Sequence, residues 1–263
     1  MTSRMVQNVL DAIVARIPGG QLDETVDVVK AGDPSQPVTG IVTTFLATYA
    51  VLQRAVDLGA NLVITHEPIF YNHLDETDWL EGDPVYTAKR QWIEKNGLVV
   101  WRFHDYWHRH QPDGILAGIT AALGWQAYAD PSALPLYTIT PTPLGDLAKI
   151  FKKKLDISMV RVVGALDMPC RRVGVLVGAA GGRFQMHALR RDMDVLVVGE
   201  LNEWETCEYV RDAIAMGQQK ALIVLGHANS EEAGMAWLVD WLADVVPGVR
   251  VTHVPAGDPF RFV

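Results

Sequence analysis

The alternation of short apolar runs with helical patterns predicts an α/β protein. It is expected to form two similar α/β halves, residues 1–126 and 127–263, with mixed, mostly parallel sheets flanked by helices and a cleft between them. Three observations carry the expectation. β-rich runs of a few residues alternate with stretches of helical period. Glycines stand where those helical stretches should stop. Several apolar runs end directly in histidines and carboxylates.

Taken in order, residues 1–16 mix Arg4, Gln7, Asn8, Asp11 and Arg16 among apolar residues. They read as an amphipathic helix, not as the continuous apolar core of a signal peptide. Residues 38–43 are a short β-rich run. Residues 47–58 follow with Val51, Leu52, Ala55, Val56 and Leu58 at helix spacing, and Gly59 closes them. Residues 61–65 form a compact strand, 85–94 a helix ended by Gly97, 98–103 another strand, and 114–123 a helix closed by Gly124. Residues 127–143 carry Pro131, Pro135, Pro141 and Pro143 and mark the candidate boundary. The pattern then restarts with a helix over 144–155, a strand over 172–177 and a glycine loop over 178–182. A strand over 195–198, a helix over 202–216 and a buried strand over 221–225 complete it. Helix, glycine, strand, histidine recurs: 55–59 leads to His66 as 213–217 leads to His227.

Bulk composition narrows the function classes. The chain has 263 residues, 49% hydrophobic and 21% charged, with a net charge of −8. Such a chain buries a real core, and its acidic balance argues against a nucleic-acid footprint. The basic run Lys152, Lys153 and Lys154 is read as a solvated helix face. Cys170 and Cys207 stand far apart, so neither a thiolate cage nor a disulfide framework is expected, and a reducing, cytoplasmic location fits. No apolar stretch reaches the ~20 residues of a membrane span, so no membrane partner is expected.

The chemistry lies at strand ends, where ligands collect in open sheets. Six of the eight histidines fall in three clusters: His66 with His73, then His104, His108 and His110, then His227. Imidazole is the commonest metal ligand, and a site needs several from different strands. His104 and His108 share one face if their segment is helical; otherwise they lie in a polar loop. His66 and Glu67 sit beside each other before Pro68. A helix is expected to begin near Ser230 as N-cap, with Met235, Leu238, Val239 and Leu242 inward. His227 and Glu231, four apart, then point into one crevice, or Glu231 and Glu232 complement the helix dipole. The glycine loop 178–182 is either a phosphate cradle or a tight strand-to-helix turn. Glu200, Glu203 and Glu205 line the cleft or start an acidic helix.

Residues 55–70, ending in Thr65, His66, Glu67 and Pro68, together with Gly226, His227, Ser230 and Glu231, resemble the Nif-three-like (NGG-one-interacting factor three) dinuclear metal-centre family. Residues 32–42, 172–182 and 195–200 extend the likeness over most of the chain. Family members carry T-H-H-P, H-T-x-x-D and G-H-x-x-S-E elements. The resemblance implies a metal set of His66, Glu67, His104, His108, His227 and Glu231. Glu67 stands where the family has histidine and His108 where it has aspartate, so four imidazoles and two carboxylates remain. Asp105 is an alternative carboxylate if the register differs.

Two functions follow as expectations. One is a hydrolase dependent on two divalent ions (zinc, iron or manganese), acting on a nucleotide or phosphoester-like small molecule. The resemblance supplies the label GTP cyclohydrolase type two, and it implies a homo-oligomer, a toroidal hexamer. The other is a non-catalytic metal-binding module for regulation or protein interaction, its ions structural.

Overall fold

The structure, a computed structural model, describes residues 4–130 and 135–263. Residues 1–3 of the expected N-terminal helix, and Pro131 of the proline-rich stretch, lie outside the described residues. The chain divides into two compact units. One holds residues 4–115 with Gly234–Ala256. The other holds the remaining described residues.

The first unit opens with α1 (Val6–Val14), whose Val6, Val9, Leu10 and Ile13 are buried at helical spacing. Its sheet is built from β1 (Val29–Ala31), β2 (Ile41–Thr44), β3 (Leu62–Thr65), β4 (Val99–Arg102) and β11 (Val251–His253), in the order β1-β4-β3-β2-β11. Only β1 runs antiparallel, at the edge. Helices make the parallel crossovers: α2 (Tyr49–Asp57), capped by the Thr48 hydroxyl, and α3 (Pro84–Lys95), capped by Asp83 with Pro84 in its first turn. Gly59 at φ 66° ends the α2 segment in the left-handed turn that its missing Cβ permits. Every residue of β2, β3 and β4 is buried, as expected of a parallel sheet covered on both faces. Burying a side chain such as Leu62 or Ile64 contributes about 1.5–3 kcal/mol.

Register decides what this sheet presents. Thr44 pairs with Thr65, and Thr65 with Arg102, so β2, β3 and β4 end level. His66 and Phe103 are therefore the first residues past their strands on adjacent chains, about 4.8 Å apart in the pairing direction. The return of Gly234–Ala256 to this unit follows from β11, which pairs in parallel with β2. Linear patterning does not announce a partner 210 residues away, and the expected boundary at 126/127 took no account of it.

In the second unit the sheet order is β5-β6-β8-β9-β10-β7. These are β5 (Ala129–Asp130), β6 (Leu136–Pro143), β7 (Arg161–Val163), β8 (Pro169–Leu176), β9 (Val195–Val198) and β10 (Ala221–Val224). The centre, β8-β9-β10, is parallel; β5, β6 and β7 join antiparallel. This sheet is thus mixed, with antiparallel strands on both sides of its parallel centre. The proline-rich stretch proves to hold strand β6. Its ladder with β8 shifts register between Thr138 and Thr142, an interruption that lets Pro141 omit the hydrogen bond it cannot donate. Helices α6 (Leu144–Lys154), α7 (Gly182–Leu189) and α8 (Glu208–Ala215) belong to this unit. Residues 203–207 form a π-turn leading into α8, where one continuous helix from 202 was expected. Phe151, Val173, Val175, Val197 and Ile223 lie in one of its cores. The division between units falls within α5 (Gly114–Leu123) and within α9 (His227–Val245). No described helix is long and apolar enough to cross a membrane.

Candidate metal centre

His66 is fully buried at the end of β3, its Nδ1 3.2 Å from the carbonyl of Phe103. Beside it Arg102, the last residue of β4, is also fully buried. Arg102 donates from Nε to the His66 carbonyl at 3.2 Å and from Nη1 to the carbonyl of His73. Its Nη2 lies 3.5 Å from Oε2 of Glu67. The guanidinium therefore balances the Glu67 carboxylate and holds the loop 66–73 over the strand ends. A buried cation is kept only where such partners exist.

After β4 the chain turns into α4 (Asp105–Arg109), a helix of five residues. So short a helix needs outside help, and Asp27 gives it. The buried Asp27 carboxylate accepts from the amides of His104 and Tyr106, both at 2.8 Å, acting as a cap supplied from another segment. Burial pushes the Asp27 carboxyl above its ordinary value, against the pull of those amides. The helix sets His104 and His108 four residues apart on one face, as the spacing predicted; the amide of His108 bonds the carbonyl of His104 at 3.0 Å. The loop alternative is thereby replaced.

Both elements deliver imidazoles to one place. Ligand atoms of His66, His104 and His108 all lie within 4.8 Å of one another. The ring centroids are 4.6 Å apart for His66 and His104, 5.0 Å for His66 and His108, and 4.8 Å for His104 and His108. Glu67 Oε1 stands 3.9 Å from His104 Nε2. Nitrogen donors this close, with a carboxylate alongside, suit a divalent ion that binds imidazole at about 2.0–2.1 Å. Asp105 is otherwise engaged. Its Oδ1 meets His104 Nδ1 at 2.9 Å, and its Oδ2 accepts from Thr25 Oγ1 at 2.8 Å and the Val26 amide at 3.2 Å. Burial raises the Asp105 carboxyl, but the hydrogen bonds from His104, Thr25 and Val26 outweigh it and hold the group below its usual value.

In the second unit, β10 leads through Gly226 into α9, which begins at His227. The expected start near Ser230 falls three residues late. Ser230 does not cap the helix: its amide bonds the Gly226 carbonyl at 3.1 Å, and its hydroxyl donates to the His227 carbonyl at 2.8 Å and accepts from the Gly178 amide at 2.9 Å. His227 and Glu231 sit one turn apart, with His227 Nε2 3.2 Å from Glu231 Oε2 and His227 Nδ1 3.1 Å from Glu200 Oε2. A Cβ on Gly178, at φ 66°, would run into the Glu231 carboxylate, and one on Gly199 into Ser230 Oγ. Those glycines make room for the first turns of α9. Gly182 likewise faces Glu205. With carboxylates against two of its glycines and the Gly178 amide taken by Ser230, the loop 178–182 forms a tight turn from β8 into α7.

Other histidines do different work. His110 packs against Trp107, Trp237 and Trp241, with centroids 5.0, 5.9 and 5.5 Å away. The His73 ring meets His104 edge-on at 6.3 Å. His253 bonds Thr43 through Nδ1 from β11. Sequence reasoning missed Asp27, Arg102 and Asp113. An arginine closing an otherwise apolar strand was a signal for Arg102, and Asp113 before Gly114 reads as a helix cap; Asp27 had none.

A two-unit α/β chain with a histidine–carboxylate group at its strand ends is a candidate metal-binding protein. Residues 9–258 match the model of the Duf34/NIF3 (NGG1p interacting factor 3) family, and the chain belongs to that family. A Clostridium perfringens relative described as a GTP cyclohydrolase 1 type 2 homolog is 24% identical over 254 residues, 88% of this chain and 89% of its own. Two solved structures share the fold. The Bacillus cereus protein related to NIF3 superposes with a TM-score of 0.81 at 18% identity over the whole of both chains. A Staphylococcus aureus hypothetical protein gives 0.79 at 17% identity, over 98% of this chain and 99% of that one.

Proposed function

We propose that this protein holds two divalent ions and is a metal-dependent hydrolase acting on a nucleotide or phosphoester-like small molecule. The observation carrying this reading is the convergence of the His66, His104 and His108 donor atoms within 4.8 Å. His227 and Glu231 supply further donors, a role supported by the intact G-H-x-x-S-E element and by their 3.2 Å pairing on α9. Bound there, divalent ions lower the pKa of water toward neutrality and stabilise charge developing on an attacked centre.

The chain's own residues have separable tasks. The imidazoles bind and orient the ions. Glu67, balanced by Arg102, brings negative charge that offsets the cations, and it stands close enough to His104 to take part in the same coordination sphere. With four imidazoles and two carboxylates the donor set suits zinc or iron at least as well as manganese. The description of the Clostridium perfringens relative supports a purine nucleotide as the first substrate to try.

The test is turnover of GTP and of generic phosphoesters by protein reconstituted with zinc, iron or manganese. Metal-dependent activity lost in His66→Ala and His227→Ala is the expected result. Full metal occupancy with no turnover of any phosphoester or nucleotide would favour a structural or regulatory centre instead.

A further inference from the structure

Each imidazole of the first unit's group turns the same nitrogen outward. Nδ1 of His66 meets the Phe103 carbonyl at 3.2 Å, Nδ1 of His104 meets Asp105 Oδ1 at 2.9 Å, and Nδ1 of His108 meets Asp113 Oδ2 at 2.8 Å. Carbonyls and ionised carboxylates only accept hydrogen bonds, so in each ring the hydrogen must sit on Nδ1. In a neutral imidazole that leaves the lone pair on Nε2.

The two carboxylates are themselves anchored. Asp105 is tied to Thr25 and Val26, a segment 80 residues earlier in the chain. Asp113 accepts the amide of Ile115 on Oδ1 at 2.9 Å, capping the start of α5, while its other oxygen faces His108. Each ring is thus fixed in tautomer and in orientation by a group that is fixed in turn.

We propose that Asp105 and Asp113 are positioning residues of the metal centre, locking His104 and His108 as Nδ1–H tautomers whose Nε2 atoms are presented to a cation. The inference rests on the metal-centre reading above. It also removes Asp105 from the ligand set, since both of its oxygens serve the protein. Outer partners of this kind set ligand basicity and ring angle, and their loss costs about 10–100-fold in metal affinity.

The variants Asp105→Asn and Asp113→Asn test it. The Asp113→Asn carbonyl still caps Ile115, and the Asp105→Asn carbonyl still serves Thr25 and Val26. In both, the new amide donates toward Nδ1 and drives the hydrogen to Nε2, where a cation needs a lone pair. Two readouts are taken on zinc-free protein labelled with 15N-histidine. Long-range 1H–15N correlation assigns the tautomers, and competition with a chromophoric chelator gives the zinc affinity. Wild type should show His104 and His108 as Nδ1–H. Each variant should switch its own ring to Nε2–H, with zinc affinity down about 10–100-fold. Melting temperatures should stay close to wild type.

Nε2–H rings in the wild type would overturn the proposal without any variant. So would a switched ring with zinc affinity within about twofold of wild type, and neither result touches the metal-centre reading. Wild type that binds no zinc, with its rings Nδ1–H, would overturn that reading, and the positioning role with it.

Discussion

Replacing Arg102 with methionine should separate what stabilises the first unit from what binds the cation. The guanidinium is fully buried, serves the carbonyls of His66 and His73, and sits 3.5 Å from Glu67. Methionine fills comparable volume but leaves two inner carbonyls without their donor and a mostly buried carboxylate without its counter-charge. Each abandoned acceptor costs about 1–3 kcal/mol, and breaking a buried pair from one side about 3–5 kcal/mol. These terms overlap, so a total of about 3–5 kcal/mol is expected, a large share of a domain's usual 5–15 kcal/mol. Divalent affinity should move the other way, because a positive charge has left the donor group. Saturating zinc should then recover part of the loss, about 2.7 kcal/mol at a hundredfold excess over Kd. The assay is urea denaturation followed by tryptophan fluorescence, with chelator and with zinc. A chelated variant within about 1 kcal/mol of wild type would refute the reasoning, since Arg102 would then not be what balances Glu67.

Other outcomes follow from single residues. Lys89 is buried on α3, its ammonium donating to the Ile69 carbonyl at 2.7 Å, and burial lowers its pKa to about 8. The unfolded chain then binds more protons between pH 8 and 10.5, so stability linked to Lys89 grows as pH rises through that window, by up to ~3 kcal/mol. Denaturation midpoints of wild type against Lys89→Met across that range check it; parallel profiles would reject it. Gly178→Ala should cost about 1–2 kcal/mol for its left-handed backbone and weaken zinc binding by displacing Glu231, read by melting and by chelator competition. Asp27→Ala removes the acceptor for two first-turn amides and should both loosen α4 and lower the melting temperature, by the equivalent of about 1–3 kcal/mol. Amide hydrogen exchange at residues 104–109 would show the loosening, and unchanged protection would contradict it.

Much of this was legible in the sequence because the sheet's period and the glycine stops are local signals. The strands over 61–65 and 98–103 and the helix over 47–58 needed only apolar runs and a closing Gly59. The His104–His108 spacing gave its shared face once the segment was helical. What escaped depends on partners far along the chain. Asp27 caps a helix 77 residues later, Arg102 meets Glu67 across two strands, and β11 joins a sheet whose other strands end by residue 102. Strand β6 hid in a proline-rich stretch because its ladder is broken where Pro141 stands. The start of α9 was misjudged because Ser230 resembles a cap, while its hydroxyl is taken by Gly178 and His227.

Counting bound ions tests the central claim most directly. Equilibrium dialysis of chelator-stripped protein against zinc, with metal analysis by mass spectrometry, should give about two ions per chain, as expected of a two-metal site. His66→Ala and His108→Ala should lose tight binding, and His227→Ala should keep fewer ions than wild type. Zinc at background level in the wild type, or the same occupancy in all four proteins, would contradict the account.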